Sequence, residues 1–307
     1  MSLISLLLTL QGAIGQGIIW GIMAIGVYIT FRLLDFPDLS VDGSLATGGC
    51  IAAVMMINGV SPLIAVLLAF FAGAIAGAIT GFLNTTCKIP AILAGILTQL
   101  GLYSINLRIL GRSNQTLLKT TTLFKGVSES LNLDLQTVIV FIGLLFIIVV
   151  VAFLYWFFGT EIGSAIRATG ANPQMVRALG VNTNVTVLLG VMLSNGLVAV
   201  SGALIAQTQG SADVKMGIGA IVIGLASIII GETLFTKNKS FAVKLLTVVL
   251  GSIIYRIVVA IVLQLGLSTD DLKLFTAILV AVALALPYIM SNSRQNRLYK
   301  AHNKEVL

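Results

Sequence analysis

Long apolar runs separated by short polar segments recur along the whole chain. Because a bilayer core about 30 Å thick requires ~20 apolar residues per helix, these runs predict membrane-spanning helices. We expect nine segments: Leu7–Phe31, Ser44–Asn58, Pro62–Leu83, Ile89–Leu110, Thr137–Phe158, Val185–Ala206, Gly217–Gly231, Phe241–Leu263 and Leu274–Met290. Ser44–Asn58 and Gly217–Gly231 hold only about 15 residues each, so we expect them to be tilted, broken or re-entrant. The pattern allows eight to ten spans, with nine as the direct interpretation.

The composition supports the same class of protein. Of the 307 residues, 58% are hydrophobic and 9% are charged, and the mean hydropathy is +1.07. A soluble domain carries about a quarter charged residues, so this chain has too few to coat a water-exposed surface. No stretch rich in Pro, Ser or charge marks a linker. We therefore predict a single domain over residues 1–307, an all-α polytopic transmembrane helix bundle surrounded by the lipid bilayer.

The net charge of +7 arises from bases scattered between the apolar runs, which favours a role in membrane topology over nucleic-acid binding. The basic tail, residues 291–307, places the C-terminus in the cytoplasm. Nine crossings then place the N-terminus outside and the connection 159–184 inside. The bases expected inside are Arg32, Lys88, Arg167, Arg177, Lys237 and Lys239, and those expected outside are Lys119, Lys125, Lys215 and Lys273.

Two features inside the predicted spans concern packing. Gly73, Gly77 and Gly81 follow one another at four-residue spacing, which reduces one helix face to backbone and favours close helix contact over a place in a solute path. Arg256 lies within a span, near its external end. Its side chain either extends to the interface or pairs with an acid such as Asp270 or Asp271.

Several residue types needed for chemistry are missing. The single histidine, His302, lies in the basic tail, so no Ser-His-Asp or Cys-His set and no histidine zinc site can form. No Gly-Lys dipeptide occurs, which excludes a Walker A phosphate loop. The apolar segments also hold few ionisable groups of the kind that ion-coupled carriers use. We expect no catalytic residue, no metal and no bound cofactor. Transport energy must then come from another subunit, unless the protein is a passive channel.

The connection 159–184 is the longest one expected on the cytoplasmic side, and its sequence predicts a short helix. Asn172 is a favoured N-cap, Pro173 suits the first helical position, and Gly180 suits the position after the C-cap. Together these residues delimit about two turns, Pro173–Leu179.

This short helix has an apolar character. Met175, Val176 and Leu179 fall at i, i+1 and i+4 and are expected to form one face, with Arg177 pointing elsewhere. A helix of two turns is not stable alone in water, so it must pack against something. It either lies on the bilayer or on its own bundle, or inserts into a groove on a partner protein. We favour the partner.

The same connection resembles a known motif. Residues Glu161–Asn182, EIGSAIRATGANPQMVRALGVN, are similar to the coupling-loop motif of the permeases that serve branched-chain amino acids and simple sugars, the membrane subunits of type II ABC importers. Ser194–Gln207 resembles the next helix of that family, and Gly217–Gly224 resembles its Gly-rich segment. Asp38–Ser44 is similar to the motif that opens the second helix in the sugar branch. The matches follow in order over ~200 residues, so they support one another although each motif alone is weak.

This resemblance implies partners. A cytoplasmic ABC ATPase dimer, which uses ATP and Mg, would dock on Asn172, Pro173, Met175, Val176, Arg177, Leu179 and Gly180. An extracytoplasmic binding protein would deliver the solute, and the implied location is the bacterial cytoplasmic membrane. Phe36–Ser44 looks closest to a subgroup associated with tryptophan and other aromatic amino acids, which implies a homodimer of permeases. Asp42 stands where the sugar branch commonly has Gly, which weakens a sugar assignment.

Polar residues inside the spans are candidates for the solute path. They are Gln16, Gln99, Asn106, Asn195 and Gln207. Each can instead form an interhelical hydrogen bond, which is the more common role. Asp42 either caps the second span, which is the favoured interpretation, or contributes to the path.

Two other classes of function compete with an ATP-driven permease. A stand-alone secondary carrier or channel would move solute without an ATPase. The remaining alternative is a membrane scaffold or a membrane enzyme. The missing catalytic sets argue against an enzyme, and the short Gly-rich spans argue against a scaffold.

Overall fold

The computed structural model describes residues 3–234, 240–266, 271, 274–282 and 285, and these residues are predominantly helical. The elements in chain order are α1 (Leu3–Tyr28) with a π-helical turn (Ile29–Leu33), α2 (Val41–Ile57), α3 (Pro62–Thr85), α4 (Ala91–Leu110), β1 (Asn114–Thr116), α5 (Leu123–Leu131), α6 (Leu135–Gly159), α7 (Glu161–Ala171), α8 (Pro173–Ala178), α9 (Thr183–Gln209), β2 (Ser211–Asp213), α10 (Ala220–Leu234) and α11 (Phe241–Gln264). Residues 274–282 form a further helical segment.

The helices correspond to the predicted spans. Within the described residues, six helices are long and apolar enough to cross a membrane, namely α1 with its π turn, α3, α4, α6, α9 and α11. Helices α2 and α10 are apolar but shorter, at 17 and 15 residues. Together with segment 274–282 they match the predicted segments one to one, and the predicted all-α polytopic bundle is confirmed. The tail 291–307, the bases Lys237, Lys239 and Lys273, and residues 286–290 of the last predicted span lie outside the described residues.

Helix α9 occupies the centre of the bundle, where it packs against α1, α2 and α3. Helix α2 is also almost entirely buried, because its Gly, Ala, Ser and Thr residues allow neighbouring helices to approach from every side. In contrast, α4 and α6 expose large apolar side chains such as Leu100, Phe141 and Ile148. Helices that are apolar on their outer faces are suited to contact with lipid.

Backbone contact holds α3 to α9. A Cβ at Gly73 would lie 2.3 Å from the backbone oxygen of Asn195, and one at Gly77 would lie 2.5 Å from that of Val191. Gly81 also faces α9. Any side chain at these three positions would force the helices apart, so the stripe of glycines lies at a helix–helix contact.

Four short elements were not predicted. Helices α5 and α7 form within the connections between predicted spans, and β1 pairs with β2 in an antiparallel two-stranded sheet. Helix α7 begins after Thr160, whose hydroxyl accepts a hydrogen bond from the Gly163 amide at 3.3 Å. Helix α5 begins in the same way after Thr122. These single threonine caps lack the Pro and Gly that marked α8 in the sequence.

Two non-helical segments enter the bundle between its helices. Residues 34–40 precede α2 and pack on α4, where a Cβ at Gly95 would lie 2.7 Å from the amide nitrogen of Leu39. Residues 214–219 precede α10 and run along α2, where a Cβ at Gly217 would lie 1.9 Å from the backbone oxygen of Asp42. Irregular backbone is tolerated within a membrane only where protein surrounds it or where it lines a cavity. Each segment therefore packs on a neighbouring helix along part of its length, while Asp35 and Ile218 stay exposed.

Candidate coupling loop and polar groups around helix α2

Helix α8 is delimited by the predicted residues. The Asn172 side chain accepts a hydrogen bond from the Met175 amide at 3.0 Å, and Pro173 occupies the first helical position. Gly180 has a φ of +83°, in the left-handed region that favours glycine. The amide of Val181 then bonds to the oxygen of Val176 at 3.2 Å, which closes the helix in a Schellman-type turn. The helix ends at Ala178, one residue before the predicted end.

The apolar residues of α8 do not share one face. Met175 and Leu179 are 51% and 74% exposed, whereas Val176 is 2% exposed and points into the bundle. Successive helical residues are separated by about 100°, so Val176 lies on the face next to Met175. The prediction of one continuous apolar face is therefore wrong. Val176 anchors the helix, and Met175 and Leu179 form an exposed apolar pair.

Three contacts attach α7 and α8 to the rest of the bundle. The Arg177 Nε donates a hydrogen bond to the Thr183 hydroxyl oxygen at 2.6 Å, which ties α8 to the start of α9. A bond of 2.8 Å joins the hydroxyl groups of Thr169 and Thr186, which ties α7 to α9. Gly170 of α7 meets the π-helical turn, because a Cβ there would lie 1.8 Å from the Leu33 oxygen. Helix α8 thus contacts α9, and α7 contacts both α9 and the end of α1.

An ion pair lies at the same end of the bundle. Arg32 in the π-helical turn donates from Nε to the Glu232 carboxylate of α10 at 3.0 Å, and its Nη2 contacts the same carboxylate. The Arg32 and Glu232 side chains are 48% and 35% exposed. Pairs with this exposure contribute little to stability, typically about 0–1 kcal/mol, so the contact can open at low cost.

Asp42 joins the two short helices. Its carboxylate accepts hydrogen bonds from the Gly219 amide at 2.8 Å and from the Ile221 amide at 3.0 Å. These amides belong to the N-terminus of α10, where a negative charge is favourable. The cap of α2 itself is Ser40, with Asp42 inside the first turn. The expectation that Asp42 caps its own helix is wrong, because it caps α10.

Asn195 lies in a buried polar cluster before α2. Its Nδ2 donates to the Asp38 carboxylate at 2.7 Å. The Ser40 hydroxyl donates to the same carboxylate at 2.6 Å and lies 3.3 Å from the Asn195 Oδ1. Sequence reasoning placed Asp38 at the edge of a span. The signal available was the Asp-x-Ser spacing, which favours the turn seen here, with the Ser40 amide bonded to Asp38 at 2.8 Å.

The remaining candidates for the solute path divide into two groups. Asn106 is buried and its Nδ2 lies 3.4 Å from the Gly43 oxygen of α2, and the backbone of Gln99 packs on the same glycine. Gln16 is exposed on α1. Gln207 is buried at the other end of α9, where it accepts a bond from the Leu123 amide of α5 at 2.9 Å. Asp42, Gln99, Asn106 and Asn195 thus gather around the start of α2, whereas Gln16 and Gln207 lie elsewhere.

The Arg256 guanidinium lies over the ring of Trp20, 4.1 Å from its centroid. A cation–π contact of this kind is favourable for a base in an apolar segment. Asp270 lies outside the described residues.

In the part of the chain that the structure describes, no three His, Cys, Asp or Glu side chains come together as a metal site. Cys50 is buried and Cys87 is exposed, and both are free. His302 lies outside the described residues.

The family of this chain is identified by its similarity to known proteins. The sequence profile of the family described as "Branched-chain amino acid transport system / permease component" matches residues 9–289. The chain is 43% identical over 270 residues to the tyrosine transport system permease protein of Clostridioides difficile (strain R20291), covering 88% of each chain. It is 26% identical over 276 residues to the ribose import permease protein RbsC of Escherichia coli (strain K12), covering 89% of this chain and 82% of that one. The chain therefore belongs to the branched-chain amino acid and simple sugar permease family, the membrane-spanning subunits of type II ABC importers.

Proposed function

We propose that this permease imports an aromatic amino acid, with tyrosine or tryptophan as the solute, across the bacterial cytoplasmic membrane. An external binding protein delivers the solute, and two cytoplasmic ATPases drive two copies of the permease. The observation that carries the proposal is the exposed pair Met175 and Leu179 on a helix fixed at both ends, in a chain without a phosphate loop. Such a helix is suited to insertion into a groove on a partner.

The contacts of α8 suggest how a motor would act on the path. Movement of α8 is carried to α9 through Arg177 and Thr183. Asn195, further along α9, holds Asp38 in the segment before α2. The polar groups at the start of α2 are therefore in contact with α9. A shift of α9 would change the space between these groups. Packed elements of this kind move between discrete arrangements rather than deforming continuously.

The nature of the solute is supported by two observations. The relative that is 43% identical carries tyrosine in its name, and the segment Phe36–Ser44 resembles the aromatic amino acid subgroup. A bundle whose interior is mostly apolar, with a few amide and carboxylate groups at the start of α2, offers surfaces for a ring and for a polar backbone. The second copy of the permease would complete a path between two bundles.

The docking step can be tested by replacing Met175 and Leu179 together with Glu. Two charges on the exposed pair prevent burial in an apolar groove, so the ATPase should no longer co-purify with the permease. Leu118 is equally exposed, at 74%, and lies in the connection between α4 and α6, at the opposite end of α6 from α7. Leu118→Glu is the matched control and should retain the ATPase. Retention of the ATPase by the double variant at the wild-type level contradicts the docking role.

The substrate and the energy source can be tested together in proteoliposomes. Vesicles that contain the permease with its ATPase are supplied with the binding protein and with ATP either inside or outside. They should accumulate labelled tyrosine or tryptophan only when the ATP is on the side that the ATPase faces. Leucine and ribose serve as comparison solutes. Preferential uptake of ribose or leucine would overturn the aromatic assignment. Gradient-driven tyrosine flux by the permease alone would instead favour a stand-alone carrier or channel.

A further inference from the structure

A cleft of about 290 Å³ opens beside α8, between the α3–α4 connection and the start of α9. Asn84 at the end of α3 and Lys88 of the connection form one wall, and Arg177 and Thr183 form part of the opposite wall. The volume is close to the lower end of the range for small-molecule sites, about 300–1,000 Å³. The cleft can therefore accept a compact group such as a phosphate with its substituents.

The charges that line this cleft have one sign. Lys88 and Arg177 both contribute to its walls, and no carboxylate does. In the parts of the chain described here, neither base forms an ion pair. Arg177 uses only Nε in its bond to Thr183, so its terminal amino groups remain available together with the Lys88 ammonium group. The cleft thus holds two cations with free hydrogen-bond donors, together with amide and hydroxyl groups. Such a set of groups is suited to binding a phosphate.

The cleft borders on an apolar surface that is suited to lipid. Phe82 at the end of α3, and Leu93 and Leu97 along α4, are large and exposed. Phe82 lies in the last turn of α3 and Leu93 in the first turn of α4, next to the connection that carries Lys88, and Leu97 lies one turn further along α4. Both helices are long and apolar enough to cross a membrane. A cationic cleft that opens beside exposed apolar helix faces matches the headgroup and acyl regions of one phospholipid molecule.

We propose that this cleft binds the phosphate headgroup of an anionic phospholipid, with the acyl chains along α3 and α4. The bound phosphate would contact one base from the α3–α4 connection and one from α8. Lipid occupancy would thereby fix α8 relative to α3 and α4. This proposal does not depend on the identity of the transported solute, because it concerns the permease and its membrane alone.

The proposal is tested by native mass spectrometry of the purified permease in the presence of phosphatidylglycerol or phosphatidylcholine with identical acyl chains. Lys88 has a φ of +58°, a left-handed backbone conformation that asparagine adopts readily. Lys88→Asn therefore removes the charge without new backbone strain. It should lower the retention of phosphatidylglycerol about fivefold, which is the contribution of one base to binding at an anionic membrane surface. Retention of phosphatidylcholine should not change, and Lys88→Arg should retain phosphatidylglycerol.

Lys119, an exposed base in the connection between α4 and α6, provides the matched control. Lys119→Asn should bind phosphatidylglycerol like the wild type, whereas Arg177→Gln should bind it less. Equal loss in both asparagine variants would indicate attraction by net charge alone and overturn the site. Displacement of the lipid by inorganic phosphate would assign the cleft to a free anion. Loss of the lipid when the ATPase binds would assign it to an acidic group of that protein, and each of these outcomes contradicts the proposal.

Discussion

Replacing Asp42 with alanine removes both acceptors that hold the start of α10 to α2. The Gly219 and Ile221 amides, at 2.8 and 3.0 Å from the carboxylate, then lose their partners. Hydrogen bonds to a charged group contribute about 1.5–3 kcal/mol each. The Asp42 side chain is only partly buried, so the lower value applies to each bond. The expected loss in the free energy of unfolding is therefore about 3 kcal/mol for Asp42→Ala.

Asparagine at this position gives an intermediate result. Its side-chain oxygen can still accept one of the two bonds, but the negative charge at the N-terminus of α10 is lost. We expect Asp42→Asn to lower the free energy of unfolding by about 1.5 kcal/mol, half of the alanine effect. Denaturation of the permease in mixed micelles measures the difference, and hydrogen exchange at the Gly219 and Ile221 amides locates it.

Asp35→Asn is the matched control for this series. Asp35 is exposed on the segment before α2, and it makes no side-chain hydrogen bond to any other described residue. Its φ of +52° is compatible with asparagine. The control should leave stability and amide exchange unchanged. If Asp42→Ala unfolds with the wild-type free energy, or if exchange at the two amides does not increase, then Asp42 does not fix α10 to α2.

Three further predictions concern other contacts of the bundle. Gly77→Ala places a Cβ 2.5 Å from the α9 backbone and should lower the free energy of unfolding by about 2 kcal/mol, whereas Gly101→Ala, with no atom within 4 Å, should not lower it. Glu232→Gln should lower the free energy of unfolding by less than about 1 kcal/mol, because the pair with Arg32 is partly exposed. A double variant that exchanges the two residues should restore the wild-type free energy of unfolding. Gln207→Leu leaves the Leu123 amide of α5 without its acceptor, so its hydrogen exchange should increase, with a cost of about 1 kcal/mol. Micelle denaturation measures the first two, and exchange by mass spectrometry measures the third.

The sequence was sufficient to predict the spanning helices and α8 because two local signals are strong. Apolar length alone placed the spans, since nothing but a helix can satisfy the backbone of an isolated apolar segment in lipid. Helix α8 was found by a different signal, the order Asn172, Pro173 and Gly180, in which each residue has a conformational preference tied to one position of a helix end. Both signals act over a few neighbouring residues.

The partners of the polar residues were not predictable in the same way. Asp42 precedes an apolar run, so a local interpretation assigns it to its own helix, yet its amide partners are almost 180 positions later. Val176 was assigned to an exposed face for a similar reason, since the sequence does not show which side of α8 meets α9. Contacts between distant segments depend on how the helices pack, and a single sequence carries no signal for that arrangement.

The strengths of these contacts indicate where the bundle separates when α8 moves. Helix α10 is held at its start by the two amide bonds to Asp42, about 3 kcal/mol together, and at its end by the half-exposed pair of Arg32 and Glu232, about 1 kcal/mol or less. A displacement carried from α7 to the π-helical turn through Gly170 therefore opens the ion pair before it breaks the Asp42 cap. The two bonds between Asp42 and the start of α10 remain intact at that stage, so opening at the α8 side of the bundle is expected to begin at the pair of Arg32 and Glu232.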